Sequence, residues 1–356
     1  MAEGFQEVKK VAAKTDCSLQ NLMNAIHQDD KIKCAELLSN ISVRKLNHLV
    51  RLKYEGYAGY TVTPLLWAVI KGHHEIVQLL LTKNVNVDKI GTYLEGETLH
   101  STSSLLVAVR KQDSKIIKFL LDNGACVQHG VPGQRMEEEE GGFLQYEKDI
   151  VPLNECIGRD IDIFKMMLSH ADITLEYGTE EHTCLCYTLE HFTDDMSSLS
   201  CIKEVLRRGG VFCVSEKLKH SFFSGQKMCW NFRIFMWILL SKKCELGLER
   251  YSIHINCLRL LLCTDYSHKN SFIYNVCKHF LALVEAEGPQ SEFCVEAVPP
   301  EMIQILQSTK MPSSLLHITL AAVRQLLKPV SYQKLENLNL PDRLVKCLML
   351  DDIYKM

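Results

Sequence analysis

The sequence TVTPLLWAVIKGHHEIVQLLL, residues 61–81, decides the fold. Pro64 stands in the first turn of a predicted helix, where its missing amide proton costs no hydrogen bond. Ala68 is small enough for two helices to approach closely, and Gly72 lets the chain turn into a second helix. The apolar side of that second helix is formed by Ile76, Val77, Leu79 and Leu80. The stretch therefore predicts two short helices that pack against each other.

The same pattern recurs along the chain. Related segments begin at Ser104, Val151 and Thr183, and a polar-faced pair of helical segments at 22–38 suits an amino-terminal cap. These segments resemble ankyrin repeats, which have a period of about 33 residues. The resemblance implies an all-α solenoid in which each repeat packs on its neighbours.

Three parts are predicted along the chain. Residues 1–220 hold the ankyrin repeats, 221–308 hold degenerate helical repeats with interrupted apolar runs, and 309–356 form a small helical box. Within the first part, the cap spans 17–50, and repeats lie near 61–90, 103–130, 151–175 and 183–214. The repeat spacing is irregular, so the insertions at 86–102 and 128–148 are expected on one face of the solenoid, where binding residues often lie.

The first insertion contains Leu94-Glu95-Gly96-Glu97-Thr98-Leu99. With the repeat before it, this segment resembles the amino-terminal repeats of the feminization (Fem) family of degron receptors, which have a similar acidic finger. The resemblance implies that Glu95, with Glu97 beside it, helps to hold a basic carboxy-terminal peptide. Trp67 is a candidate aromatic wall nearby, and a role for Trp67 in the repeat core is the open alternative.

The most specific motif lies near the end of the chain. Residues 314–327 read SLLHITLAAVRQLL, and Ser313 or Ser314 can cap a helix that begins there. Its apolar stripe is formed by Leu315, Thr319, Ala322, Val323 and Leu326. A second segment, LNLPDRLVKCLML at 338–350, places Pro341 at the start of another helix.

Taken in order, the two segments resemble the SOCS box of the ankyrin-repeat and SOCS-box (ASB) family. In that family the first helix binds elongin C, and the following segment directs a cullin. The resemblance implies elongin contacts at Leu315, Thr319 and Val323. It implies cullin contacts at Leu338, Leu340 and Pro341. Thr319 stands where the family has Cys, and Asn339 stands where the family has the first Pro of its cullin segment.

The resemblances imply a substrate-recognition subunit of a cullin-RING ubiquitin ligase, and not an enzyme. The implied partners are elongin C with elongin B, a cullin with its RING subunit, and a protein substrate on the ankyrin surface. An ankyrin scaffold without a ligase role is the alternative, in which the terminal helix only caps the repeats. Accessible Leu315 and Val323 side chains would favour the ligase subunit.

Composition argues against other classes of partner. The 40 basic and 43 acidic residues give a net charge of -3, so no global field favours nucleic acid or a membrane surface. The amino terminus lacks an apolar segment of signal or spanning length, so we expect the cytosol or nucleus. There the 15 cysteines are expected to stay as thiols.

Signatures of catalysis and cofactor binding are missing from the sequence. It contains no phosphate loop, no nucleophile elbow, no His-Glu-x-x-His and no paired CxxC, so neither a cofactor nor a metal is expected. The strongest metal candidates are His182, Cys184, Cys186 and His191. Because Cys184 and Cys186 are two apart on a predicted helix, they face different sides, and packing is the favoured reading. The candidate nucleophiles, which have no recognisable base, are Cys17, Cys156, Cys201 and Cys257.

The acidic run at 137–140 is predicted to be a solvated loop, and a site for a basic partner is the alternative.

Overall fold

The computed structural model describes residues 17–54, 57–95, 98–132, 149–177, 182–190, 196–210, 256–257, 260–261, 330, 332–338 and 340–350. The chain divides into two compact units. The first holds the described residues up to Cys156, together with Asp162–Ala171 and Tyr177. The second holds Ile157–Ile161, Asp172–Glu176 and the described residues from His182 onward. Within these ranges, no helix is both long and apolar enough to cross a bilayer.

Three helices open the first unit: α1 Cys17–His27, α2 Lys31–Asn40 and α3 Val43–Leu46. α1 packs against α2, and its side chains Leu22, Met23 and Ile26 are buried. The Lys33 amide donates a hydrogen bond of 2.9 Å to the Asp30 carboxylate, which satisfies a free amide in the first turn of α2.

A four-stranded antiparallel sheet follows in the order β1-β2-β3-β4. The strands are β1 Val50–Tyr54, β2 Tyr57–Val62, β3 Gly91–Glu95 and β4 Thr98–Thr102. The first two strands form one hairpin and the last two form another. Thr61 lies opposite Thr92, and the Thr61 amide donates to the Thr92 hydroxyl at 3.0 Å, which joins the hairpins.

The expectation of an all-α chain is corrected by this sheet. The insertion at 86–102 contains the second hairpin, and the first hairpin precedes the helix that begins at Pro64. Both hairpins are rich in β-branched and aromatic residues, and two residues that include a glycine separate the strands of each. A search for helical repeats overlooks this hairpin signal, because its period is 2 and not 3.6.

Two helical pairs stack behind the hairpins: α4 Pro64–Lys71 with α5 His74–Leu81, and α6 Ser104–Arg110 with α7 Ser114–Asp122. α4 packs against α1, α5 and α6. Thr63 and Ser103 cap α4 and α6. Their hydroxyls accept hydrogen bonds from the amide of the third residue of each helix, at 3.1 and 3.2 Å. The two pairs therefore start with the same local chemistry.

Equivalent turns mark each repeat. Asp29, Gly72 and Gln112 all adopt a left-handed conformation, with φ of 56°, 77° and 55°, between the first and second helices of their pairs. Neighbouring repeats are also tied through side chains. The Asp88 carboxylate accepts a hydrogen bond of 3.0 Å from the Cys126 amide. The repeat is thus visible in the backbone even where glycine is missing from the turn.

A third pair consists of the short α8 Pro152–Glu155 and α9 Ile161–Leu168. Phe164 is fully buried on α9. The Tyr177 hydroxyl donates to the Asn154 side-chain oxygen at 2.8 Å, so the buried amide of α8 has a polar partner.

The second unit contains α10 Cys184–Glu190, α11 Met196–Arg207, α12 Tyr332–Glu336 and α13 Asp342–Leu348. The terminal segment forms an apolar cluster from Val330, Leu335, Cys347, Leu348 and Met349. Arg207, at the end of α11, holds this segment at two points. Its carbonyl accepts from the Val330 amide at 3.1 Å, and its guanidinium Nε donates to the Met349 carbonyl at 2.7 Å.

We expect Gly91→Ala to destabilise the sheet. A Cβ at this position would lie 2.5 Å from the Thr61 carbonyl oxygen and 2.6 Å from Leu66 Cδ2, so β2 and β3 would have to separate. The expected loss is about 1–3 kcal/mol of unfolding free energy, as for other overpacked sites. Chemical denaturation and hydrogen exchange at the Thr61 amide would measure the effect.

Gly72→Ala is the matched control for this substitution. A Cβ at Gly72 meets nothing within 4 Å, so its cost comes from the φ of 77° alone. It should destabilise the chain without accelerating exchange at Thr61. Unchanged exchange at Thr61 in Gly91→Ala would show that the strands are not closely apposed there.

Candidate protein-binding surface

A row of four aromatic rings extends from the second hairpin to the end of α1. The Tyr93 and Tyr60 rings are stacked with centroids 6.0 Å apart, and Tyr60 lies 6.0 Å from Trp67. The Trp67 ring is stacked in turn on His27 at 6.2 Å. The pairing of β2 with β3 places the two tyrosines on neighbouring strands, and the packing of α4 against α1 brings Trp67 to His27. We call these four residues the aromatic row.

Trp67 belongs mainly to the repeat core, because only 5% of its surface is exposed. Tyr60 and Tyr93 are half-buried, so they offer more ring surface to a ligand. The prediction that Trp67 binds substrate stays a prediction. Its structural contribution here is to support the neighbouring rings.

Two lysines lie at the carboxyl ends of α4 and α6: Lys71 is the last residue of α4, and Lys111 directly follows α6. The Lys71 ammonium lies 4.6 Å from the centroid of the Trp67 ring, one helical turn before it. The Lys111 ammonium donates a hydrogen bond to the Ile70 carbonyl, which links α6 to α4. Desolvation by neighbouring groups lowers the pKa of both lysines although both residues are exposed, and the charge of Lys111 lowers the pKa of Lys71 further.

Other basic residues of this region lie close to carboxylates. His73 Nδ1 lies 3.1 Å from Asp29, His74 Nε2 lies 2.7 Å from Asp113, and Arg110 Nε lies 3.6 Å from Glu155. Among the residues that the structure describes, Lys71 makes no ion pair. Burial lowers the pKa of His27, and the nearby Lys71 and His73 add to that effect.

The acidic residues of the hairpin are only partly described. Glu95 is the last residue of β3, and its backbone pairs with Thr98. Glu95 follows Tyr93 by two residues on the same strand, so its backbone lies on the Tyr93 side of the aromatic row. Glu97 lies outside the described residues. The substrate-binding role of both residues remains a prediction.

The predicted elongin-binding residues Leu315, Thr319 and Val323 lie outside the described residues. The predicted cullin-binding residues are described, and they differ in exposure. Leu338 is 47% exposed and Pro341 is exposed at the start of α13, whereas Leu340 packs against the terminal apolar cluster. Leu338 and Pro341 are therefore accessible to a partner.

The candidate metal ligands His182, Cys184 and Cys186 are all buried. The His182 ring meets the Tyr187 ring edge-on at 5.6 Å, and the Thr183 hydroxyl lies 3.3 Å from the Cys186 sulfur. Within the described ranges, no three His, Cys, Asp or Glu residues are grouped closely enough to hold a metal ion. His191, the fourth candidate, lies outside these ranges.

The candidate nucleophiles are placed differently from one another. Cys156, Cys201 and Cys257 are buried, and Cys17 is exposed. Burial raises the pKa of the Cys257 thiol, which disfavours the thiolate that nucleophilic attack needs.

Tyr93 begins the finger that the sequence predicts as a binding surface, whereas Tyr60 and Lys71 were not predicted as surface residues. The alternating pattern of the hairpins is the signal that would have found Tyr60. Lys71 follows Trp67 by four residues on a predicted helix, and this spacing predicts their contact.

Comparison with known proteins agrees with the repeat geometry of the first unit. A family model described as ankyrin repeats, in three copies, matches residues 22–130. Ankyrin repeat and SAM domain-containing protein 6 of Mus musculus is 30% identical over 92 residues, which cover 26% of this chain and 9% of that protein. Ankyrin repeat and SOCS box protein 11 of Mus musculus is 38% identical over 71 residues, which cover 20% of each. The chain thus spans a small part of either relative.

The crystal structure of EF0377, an ankyrin repeat protein, has a TM-score of 0.36 to this chain at 17% identity. The similarity covers 54% of this chain and 83% of that one, and at such a TM-score it adds nothing to the assignment. The family match and the repeated helical pairs agree over the same residues. Residues 22–130 of this chain are ankyrin repeats, a fold that binds other proteins.

Proposed function

We propose that the chain is the substrate-recognition subunit of an elongin B/C-cullin-RING ubiquitin ligase that acts in the cytosol or nucleus. The ankyrin repeats hold a protein substrate, and residues 309–356 form a SOCS box that holds elongin C and a cullin. The observation that carries the proposal is the order of the two terminal segments, SLLHITLAAVRQLL and LNLPDRLVKCLML, after ankyrin repeats. The similarity to a mouse protein named for an ankyrin repeat and a SOCS box supports it.

The exposure of Leu338 and Pro341 gives further support, because a cullin can reach side chains that the fold leaves in solvent. Leu340 contributes differently. It is partly buried and packs on the terminal apolar cluster, close in sequence to Leu338 and Pro341. We therefore assign direct cullin contact to Leu338 and Pro341, and a supporting role to Leu340.

Affinity purification of the tagged full chain from cells tests the proposal. Elongin B, elongin C, a cullin and its RING subunit should be recovered together in near-equal amounts. An ankyrin scaffold without a ligase role would recover other proteins and none of these four. That second outcome would replace the proposal with the scaffold alternative.

Substrate recognition is proposed to use Glu95 and Glu97 at the end of the second hairpin. The double substitution Glu95→Lys with Glu97→Lys should reduce the affinity for basic peptides about tenfold or more, because like charges then face each other. Fluorescence titration with an amidated peptide that carries arginine and lysine would measure the loss. Binding to the unchanged chain should also weaken as salt rises.

The matched control is Glu36→Lys with Asp122→Lys, which makes the same charge change at two exposed positions on α2 and α7. Elongin recovery should be unchanged in both double variants. If the control weakens peptide binding equally, net charge alone explains the effect, and the assignment of Glu95 and Glu97 is wrong.

A further inference from the structure

Lys71 and Lys111 place two positive charges near each other on the surface of neighbouring repeats. Basic side chains near helix carboxyl ends interact favourably with the helix dipole, and Lys111 follows this rule by donating to the Ile70 carbonyl. Lys71 differs, because its ammonium lies over the Trp67 ring. The Lys111 ammonium contacts the carbonyl of Ile70, the residue before Lys71, and, beyond desolvation, repulsion between the two charges lowers the pKa of Lys71.

Nearby carboxylates do not neutralise this pair within the described residues. Asp113 raises the pKa of Lys111, but its carboxylate is held by His74 Nε2 at 2.7 Å and by the Ile116 amide at 3.1 Å. A neighbouring lysine shows the contrast. Lys31, at the start of α2, reaches Glu75 on α5 at 2.8 Å. The charges of Lys71 and Lys111 can therefore act on a ligand.

We propose that Lys71 and Lys111 bind the carboxylate of an acidic side chain in an extended protein segment that lies along the aromatic row. A carboxylate between two ammonium groups accepts charge-assisted hydrogen bonds from both and removes their repulsion. The half-buried Tyr60 and Tyr93 rings then contact the apolar parts of the same segment.

The inference adds to the proposed function, and its identification of the segment as a ligase substrate rests on that function. Glu95 follows Tyr93 on β3 and so lies on the Tyr93 side of the row, whereas Lys71 lies over Trp67. A segment that satisfies both ends carries a basic residue at the hairpin and an acidic residue at the lysines. Recognition of this surface would therefore depend on the order of charges along the ligand.

Selection from a display library of random peptides, presented on the full chain, tests the inference. In one library, fixed flanking residues remove any free carboxyl end, and in a second library the peptides end freely. We expect Asp or Glu to be enriched in the first library. The selected peptides should bind Lys71→Gln and Lys111→Gln about tenfold more weakly than the unchanged chain, as for other lost charge pairs.

Lys118→Gln is the matched control, since Lys118 is an exposed lysine on the second helix α7. It should leave the affinity unchanged. The inference is overturned if the selected peptides lack acidic residues or if binders come from the free-ended library alone. It is also overturned if Lys118→Gln loses as much peptide affinity as the other two variants. Elongin recovery is measured on the same variants. Its absence from the unchanged chain would overturn the proposed function, while the peptide result still decides the inference.

Discussion

Trp67→Ala is expected to lower the unfolding free energy by about 3–5 kcal/mol, as for other buried tryptophans. The side chain is 5% exposed and contacts His27 and Tyr60, so its removal opens a cavity between α1, α4 and β2. Lys71 would also lose the ring that its ammonium covers. Chemical denaturation followed by far-ultraviolet circular dichroism measures the loss without relying on tryptophan fluorescence.

Trp67→Phe is the control, because it keeps an aromatic ring and should cost much less. A stable Trp67→Ala variant with impaired peptide binding would show that Trp67 acts as a recognition residue and not as core. If the expected instability is found, loss of binding in Trp67→Ala says nothing about contact with the substrate. Substitutions at Tyr60 and Tyr93 are then the informative ones.

Leu315→Asp is expected to abolish elongin recovery. A central apolar anchor contributes ~2 kcal/mol or more to an interface, and aspartate adds the cost of burying a charge. Co-purification of elongin C with the tagged variant measures the effect, and circular dichroism shows whether the repeats stay folded.

Leu175→Asp is the matched control, since Leu175 is 50% exposed in the second unit. It makes the same chemical change without a predicted contact to elongin. Full recovery of elongin C with Leu315→Asp would rule out this leucine as the anchor of the box. Loss of elongin with both variants would point to a general effect on folding.

Local chemistry made the helical pairs predictable. Pro64 and Gly72 fix the start and end of α4 through their own backbone preferences, and the structure has α4 at Pro64–Lys71 with Gly72 in the left-handed conformation. The two hairpins have a local signal of period 2 that a search for helical repeats overlooks, but their joining into one sheet depends on Thr61 and Thr92, which are far apart in sequence. Pairing of this kind depends on the fold and not on a local pattern.

The candidate surface was predictable only in part for the same reason. The acidic residues of the insertion are visible in the sequence, but the aromatic row joins residues from α1, α4 and two strands. Whether Trp67 is core or surface depends on the position of the His27 and Tyr60 rings. Both possibilities are open in the sequence, because no local pattern of residues decides between them.

The two hydrogen bonds to Arg207 have a mechanical consequence. They connect α11 to both ends of the segment from Val330 to Met349, although more than a hundred residues of chain separate the helix from the segment. A force applied to this segment can therefore be transmitted to α11 through both hydrogen bonds. Removal of the residues from Val330 onward would take away both hydrogen-bond partners of Arg207. We therefore expect the end of α11 to become less rigid in the truncated protein.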